Sequence, residues 1–146
     1  MKPAKESVAV VIRQADGGFL VAKRPDDPDD PLAGVWGFPA VTRRPGEDRR
    51  AAAQRIGPLK LGLTLSVGRE LGERTDDRES YLLRLTEYEA VIATGTPTVP
   101  QADDSVTQYV ACKFTDDPAV LLPAAQQGSL CSQIFLDAAG LNWART

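Results

Sequence analysis

The sequence predicts an α+β domain. Three observations carry that prediction. Runs rich in β-branched and alternating apolar residues open the chain and recur along it. Two helical patterns stand between and after them, one over Arg49 to Ile56 and one after Gly128-Ser129. The order strands, helix, strands, helix is not the strict alternation of a parallel α/β fold. With 146 residues, the chain 1–146 reads as a single domain able to bury a core.

Each element has a local reason. Ser7 to Arg13 is β-branched and reads as a strand. Asp16-Gly17-Gly18 tolerates the positive φ of a tight hairpin, so Phe19 to Arg24 is the return strand. Asp26 to Pro31 is acidic and proline-rich, hence a loop, and Trp36 to Pro39 carries a short strand. Asp48 is an N-cap for the helix Arg49 to Ile56. Gly57-Pro58 is expected to interrupt that helix, because proline lacks an N–H and its ring clashes with the preceding turn.

Leu63 to Arg74 and Arg78 to Ile92 read as strands turning around Asp76-Asp77, Thr94 to Ser105 as a loop, and Thr107 to Phe114 as a further strand. In the terminal helix, Leu130, Ile134 and Ala138 fall four apart on one face, with Cys131 and Phe135 beside them. Gly140 is its stop.

Composition narrows the chemistry. Apolar residues make up 42% of the chain and charged residues 25%, as in an ordinary globular protein. The net charge of -3 gives no basic surplus for non-specific nucleic-acid binding. The absence of histidine removes Ser-His-Asp and Cys-His catalysis and any His-ligated zinc. Cys112 and Cys131 have no metal-ligand spacing and read as reduced thiols. No apolar run has signal-peptide or membrane-span length, so the reading is a cytoplasmic protein with no membrane partner. Nothing in the sequence fixes the oligomeric state.

The segment Pro31-Leu32-Ala33-Gly34-Val35-Trp36-Gly37-Phe38-Pro39, preceded by Lys23-Arg24, resembles the MutT-like Nudix hydrolases. These show a Leu-x-Gly-x-Trp-x-Phe-Pro-Gly-Gly segment after a hairpin ending in Lys-Arg. The resemblance runs from about Val8 to Phe135 and implies a Nudix-type α/β/α sandwich around a mixed β-sheet. The family box is Gly, five residues, Glu, seven residues, then Arg-Glu-hydrophobe-x-Glu-Glu-x-Gly-hydrophobe. Laid on this chain without a gap, it places the opening Gly on Val41, the isolated Glu on Glu47, the Arg on Arg55 and the closing pair on Gly62-Leu63. The three helix glutamates fall on Ile56, Leu59 and Lys60. The frame is intact and the metal ligands are replaced.

That replacement decides the chemistry. Nudix enzymes cleave nucleoside diphosphates linked to a further group, with magnesium neutralising the pyrophosphate and positioning water. Magnesium takes hard oxygen donors, and glutamates at i, i+3 and i+4 share a helix face on which they converge. Isoleucine and leucine offer no oxygen, and lysine sets a positive charge where the cation belongs. Arg49 and Arg50 also oppose the dipole in the first helical turn.

The box remnants Glu47 and Arg55 are the catalytic candidates the resemblance leaves. Glu47 could also be a capping or solvated carboxylate, and Arg55 a surface helix charge. Trp36, Phe38 and Tyr88 are candidates to stack on a base or to pack the core. Arg24, with Arg43 and Arg44, could meet phosphate. A second stretch, Arg69-Glu70-Leu71-Gly72-Glu73-Arg74, mimics part of the box. It lies in β-rich sequence, where Glu70 and Glu73 would face opposite ways, and reads as coincidence.

Two functional readings stand. The favoured one is a non-catalytic module binding a nucleotide or nucleoside diphosphate, a modified base or a protein partner, with no cofactor. The alternative is a divergent Nudix hydrolase using Mg2+ on substitute ligands, drawn from Glu47 with acids between Glu70 and Glu79 or from Asp103-Asp104.

Overall fold

The structure is a computed structural model that describes residues 2–101 and 109–144. Among the described residues, seven strands and three α-helices follow in the order β1 (Ala4–Ile12), β2 (Phe19–Lys23), β3 (Trp36–Gly37), β4 (Ala40–Thr42), α1 (Arg49–Ile56), β5 (Thr64–Arg78), β6 (Tyr81–Thr94), β7 (Ala111–Thr115), α2 (Leu122–Gln126) and α3 (Leu130–Ala138). A four-stranded mixed sheet has the order β4-β1-β6-β5, and a three-stranded antiparallel sheet has the order β3-β2-β7. The pairing of β1 with β6 is parallel, from Ala4 opposite Leu82 to Ile12 opposite Ala90.

Strand β1 explains the layering. Its side chains alternate between two cores. Val8, Val10 and Ile12 pack with Ala52, Ala53 and Ile56 of α1. Ala9 and Val11 pack with Leu130, Ile134 and Phe135 of α3. A strand covered on both faces reads as an unbroken apolar run, which is what Val8 to Ile12 is. The result is the α/β/α sandwich expected from the sequence. Among the described residues, no helix is long and apolar enough to cross a membrane.

Several boundaries differ from the sequence reading. The long hairpin turns at Glu79-Ser80, and Asp76 and Asp77 lie within β5 opposite Leu83 and Leu82. Strand β7 starts at Ala111, and the expected start at Thr107 lies outside the described residues. Strand β4, the 3₁₀ turn Pro118–Leu121 and α2 carry no strong sequence signal.

At Gly57-Pro58 the α-helix ends at Ile56, as expected, but the helical path does not. It continues through Gly57–Leu61 as a single π-helical turn, with Pro58 at its start, and ends at Gly62. The wider turn accommodates the proline ring that an α-turn would drive into the preceding carbonyl. Gly62 closes it at φ 67, and its N–H reaches Gly57 O. A Cβ there would also come within 2.6 Å of Thr98 Oγ1, so the position has neither the backbone nor the room for a side chain.

Candidate functional site

The turn between β4 and α1 organises the box remnants. Asp48 caps α1, accepting from the N–H groups of Arg50 (3.0 Å) and Ala51 (3.2 Å). Glu47 therefore does not cap the helix. Arg55, one residue before the end of α1, grips its carboxylate with both arms, Nε to Oε2 at 3.0 Å and Nη2 to Oε1 at 3.0 Å. The backbone N–H of Arg44 donates to the same Oε1 at 3.0 Å. These donors, the Arg55 guanidinium first, hold the Glu47 carboxyl down at about 2. The pair is a bidentate clasp joining the loop to the helix.

The arginines of the first helical turn also have structural work. Arg50 donates to Gly68 O at 2.7 Å and Val67 O at 2.8 Å, where β5 bulges away from β6. Arg49 pairs with Glu6 at 3.3 Å. These contacts offset the unfavourable end of the helix dipole.

Above the clasp lies a cleft of about 660 Å³. Its described lining includes Lys5, Arg24, Arg43, Arg44, Arg55 and Lys60, with Ser7, Thr42, Leu59 and Tyr109, and no carboxylate. Three of the cations are neutralised from behind: Arg24 by Asp30 at 2.8 Å, Arg43 by Glu6, and Arg55 by Glu47. Burial works against ionisation of Glu6, but Arg43 and Arg49 outweigh it and hold its carboxyl below the usual range. Among the described residues, Lys5 and Arg44 make no ion pair, and both are exposed. Lys60 is buried, its ammonium 5.5 Å from the centre of the Tyr109 ring.

A second cavity of about 280 Å³ shares Lys5, Ser7, Arg24, Ala40 and Tyr109 with the first. Leu32, Val35, Phe38, Leu83, Leu85 and Tyr81 make it more apolar. The Tyr109 hydroxyl accepts from Ala40 N at 3.0 Å and is pushed up to about 12 by burial.

The sequence-derived candidates separate on this map. Arg24 lines both cavities, and Arg55 lines the first with Glu47 held behind it. Phe38 borders the second cavity but is buried against Phe19 and Phe135, with ring centroids 6.0 and 5.1 Å away. Trp36 lines neither cavity and lies under Lys113, 4.5 Å from its ring centre. Tyr88 packs in the α1 core beneath Arg50. Sequence reasoning missed Lys5, Ser7 and Tyr109. The alternation Lys5-x-Ser7-x-Ala9-x-Val11 put Lys5 and Ser7 on one strand face, but the antiparallel pairing of β1 with β4, which sets Ser7 opposite Thr42 at the cleft, is not a local signal.

The three box positions also diverge. Ile56 is fully buried in the α1 core, whereas Leu59 and Lys60 line the cleft. A π-turn advances each residue by less than an α-turn, so the i, i+3, i+4 face assumed for an ordinary helix is lost. Among the described residues, no three His, Cys, Asp or Glu side chains are placed to share a metal ion. Hard oxygen donors are what magnesium requires, and the helix presents Leu59, Lys60 and the guanidinium of Arg55 instead. The described residues do not fit it. Asp103 and Asp104 lie outside the described residues.

Comparison with known proteins agrees with the architecture. The NUDIX domain family model matches residues 3–123. The E. coli ORF135 protein is 26% identical with a TM-score of 0.70, and the match covers 94% of each chain. The MutT protein of Methanosarcina mazei Go1 is 16% identical with a TM-score of 0.74, covering 95% of each. A NUDIX hydrolase from Nitrosomonas europaea is 20% identical with a TM-score of 0.73, covering 98% of this chain and 93% of its own. No curated protein matches the chain. With the sandwich, the frame from Val41 to Leu63 and a family match over most of its length, the chain belongs to the Nudix family.

Proposed function

We propose that this Nudix-family chain is a non-catalytic module that binds a nucleotide-type diphosphate in the cleft above α1. One observation carries the reading: six cations and no carboxylate line the described part of the larger cavity of that cleft. Nudix proteins act on nucleoside diphosphate-linked compounds and use a divalent metal when active. Here the phosphate-attracting charge comes from side chains, while the oxygen donors that would position a metal and its water are replaced.

The hydrolase alternative needs substitute ligands. Glu47 has both oxygens engaged by Arg55 and Arg44. Glu70, Glu73, Asp76 and Asp77 belong to β5, and they and Glu79 line neither cavity of the cleft. These placements favour binding over turnover.

The test combines calorimetry with an activity panel. Magnesium or manganese is expected to bind no tighter than about millimolar. Turnover of a panel of nucleoside diphosphate compounds is expected to stay at background. Metal-dependent turnover that Glu47→Gln abolishes would refute the module reading.

A further inference from the structure

We propose that the cleft takes its phosphate ligand as a metal-free polyanion, and that magnesium antagonises binding. The inference rests on the reading of this cleft as a diphosphate site and adds which ionic form it accepts.

The argument is one of charge placement. A free pyrophosphate carries several negative charges, and a magnesium complex of it carries two fewer. A site built around carboxylates selects the complex, because the metal bridges acid to phosphate. A site built from guanidinium and ammonium groups selects the free anion, since each donor needs a phosphate oxygen that the metal would otherwise occupy. This cleft is of the second kind. Lys5 and Arg44 are exposed at its wall and make no ion pair among the described residues. Lys60 lines it from the helix at a box position that otherwise carries a metal-ligating glutamate. Arg24 and Arg43 add guanidinium groups that are neutralised but keep further N–H donors.

The carboxylates within reach are turned to other work. Asp30, Glu6 and Glu47 each hold an arginine of the cleft, and none lines its larger cavity, although Asp30, paired with Arg24, borders the smaller one. A metal ion carried in with the phosphate would therefore meet like charge without a compensating carboxylate, which is repulsive at the short range of a cavity wall.

The experiment is calorimetric titration of the full chain with sodium pyrophosphate. One arm contains EDTA, and the other contains magnesium chloride in excess over pyrophosphate, with sodium chloride equalising the ionic strength. Binding is expected in EDTA and at least about tenfold weaker with magnesium. Lys5→Ala and Arg44→Ala remove exposed charges with no ion-pair partner to orphan. Each is expected to weaken binding in EDTA about fivefold or more. Lys113→Ala, outside both cavities, should leave it unchanged.

Equal or tighter binding with magnesium would overturn this inference while leaving the diphosphate-binding reading standing. So would binding insensitive to both Lys5→Ala and Arg44→Ala, since the charge would then act elsewhere. Absence of binding in both arms would overturn the diphosphate reading itself and this inference with it.

Discussion

Glu87 is the residue whose environment departs furthest from what its side chain prefers. It lies mid-strand in β6, fully buried, with neither carboxyl oxygen hydrogen-bonded among the described residues. Burial raises its pKa well above the usual carboxylate value of 4.5, and the charge of Arg13 offsets this only in part. The sign of the resulting linkage is definite. Well below 4.5, folded and unfolded chains both hold the proton and the group adds no pH dependence. As pH rises past that value the unfolded chain releases its proton and the folded chain does not. Stability then falls by about 1.4 kcal/mol per pH unit until the folded pKa is reached. Glu87→Gln removes the titration, so the variant should gain on the wild type as pH rises from about 4.5 toward the raised folded pKa. Denaturant unfolding at several pH values measures it, and parallel curves for the two proteins would show that Glu87 is already ionised in the fold. The same residue marks a limit of the sequence. β6 carries Arg84, Glu87 and Glu89, and nothing local in the sequence marks Glu87 as the buried one of the three, under a sheet face that α3 covers.

At the scale of elements, the helix after Glu47 carries both the box frame and its loss. Restoring the three glutamates is the direct challenge. Because Ile56 is fully buried, Ile56→Glu places a carboxylate in the α1 core and is expected to cost about 3 kcal/mol or more. Leu59→Glu and Lys60→Glu border the cleft and should be milder. The triple variant is expected to gain no magnesium-dependent turnover, because the π-turn at Gly57–Leu61 sends its carboxylates in different directions. Thermal denaturation and a hydrolysis assay check both halves, and a stable triple variant that turns over substrate would show that the turn relaxes to an ordinary helix. Asp48 and Arg49 to Ile56 were legible because capping and helix period are local signals. The π-turn was not. Proline announces that an α-turn cannot continue, but which alternative the chain takes depends on Gly57 packing against Leu63 and Leu65, where a Cβ would meet Leu63 O at 2.7 Å.

For the whole molecule, local and global charge point in opposite directions. The chain carries a net charge of -3, so its distant field repels an anion. The cleft gathers six cations in its described lining and attracts one. The sequence showed the first fact and not the second, because Lys5, Arg24, Arg44 and Lys60 come from well-separated parts of the chain and converge only through β1 pairing with β4 and the Arg55 contacts that tie α1 to Glu47 and Thr42. Salt distinguishes which field a ligand feels. Screening removes distant repulsion as readily as near attraction, and the Debye length is about 14 Å at 0.05 M salt and about 7 Å at 0.2 M. If the net charge governed, raising salt would tighten pyrophosphate binding. If the cleft governs, the same change should weaken it several-fold in EDTA, and Arg44→Ala should show a shallower dependence than the wild type because one fewer exposed cation is being screened. Affinity that rises with salt would mean that the cations of the cleft are fully compensated within the fold.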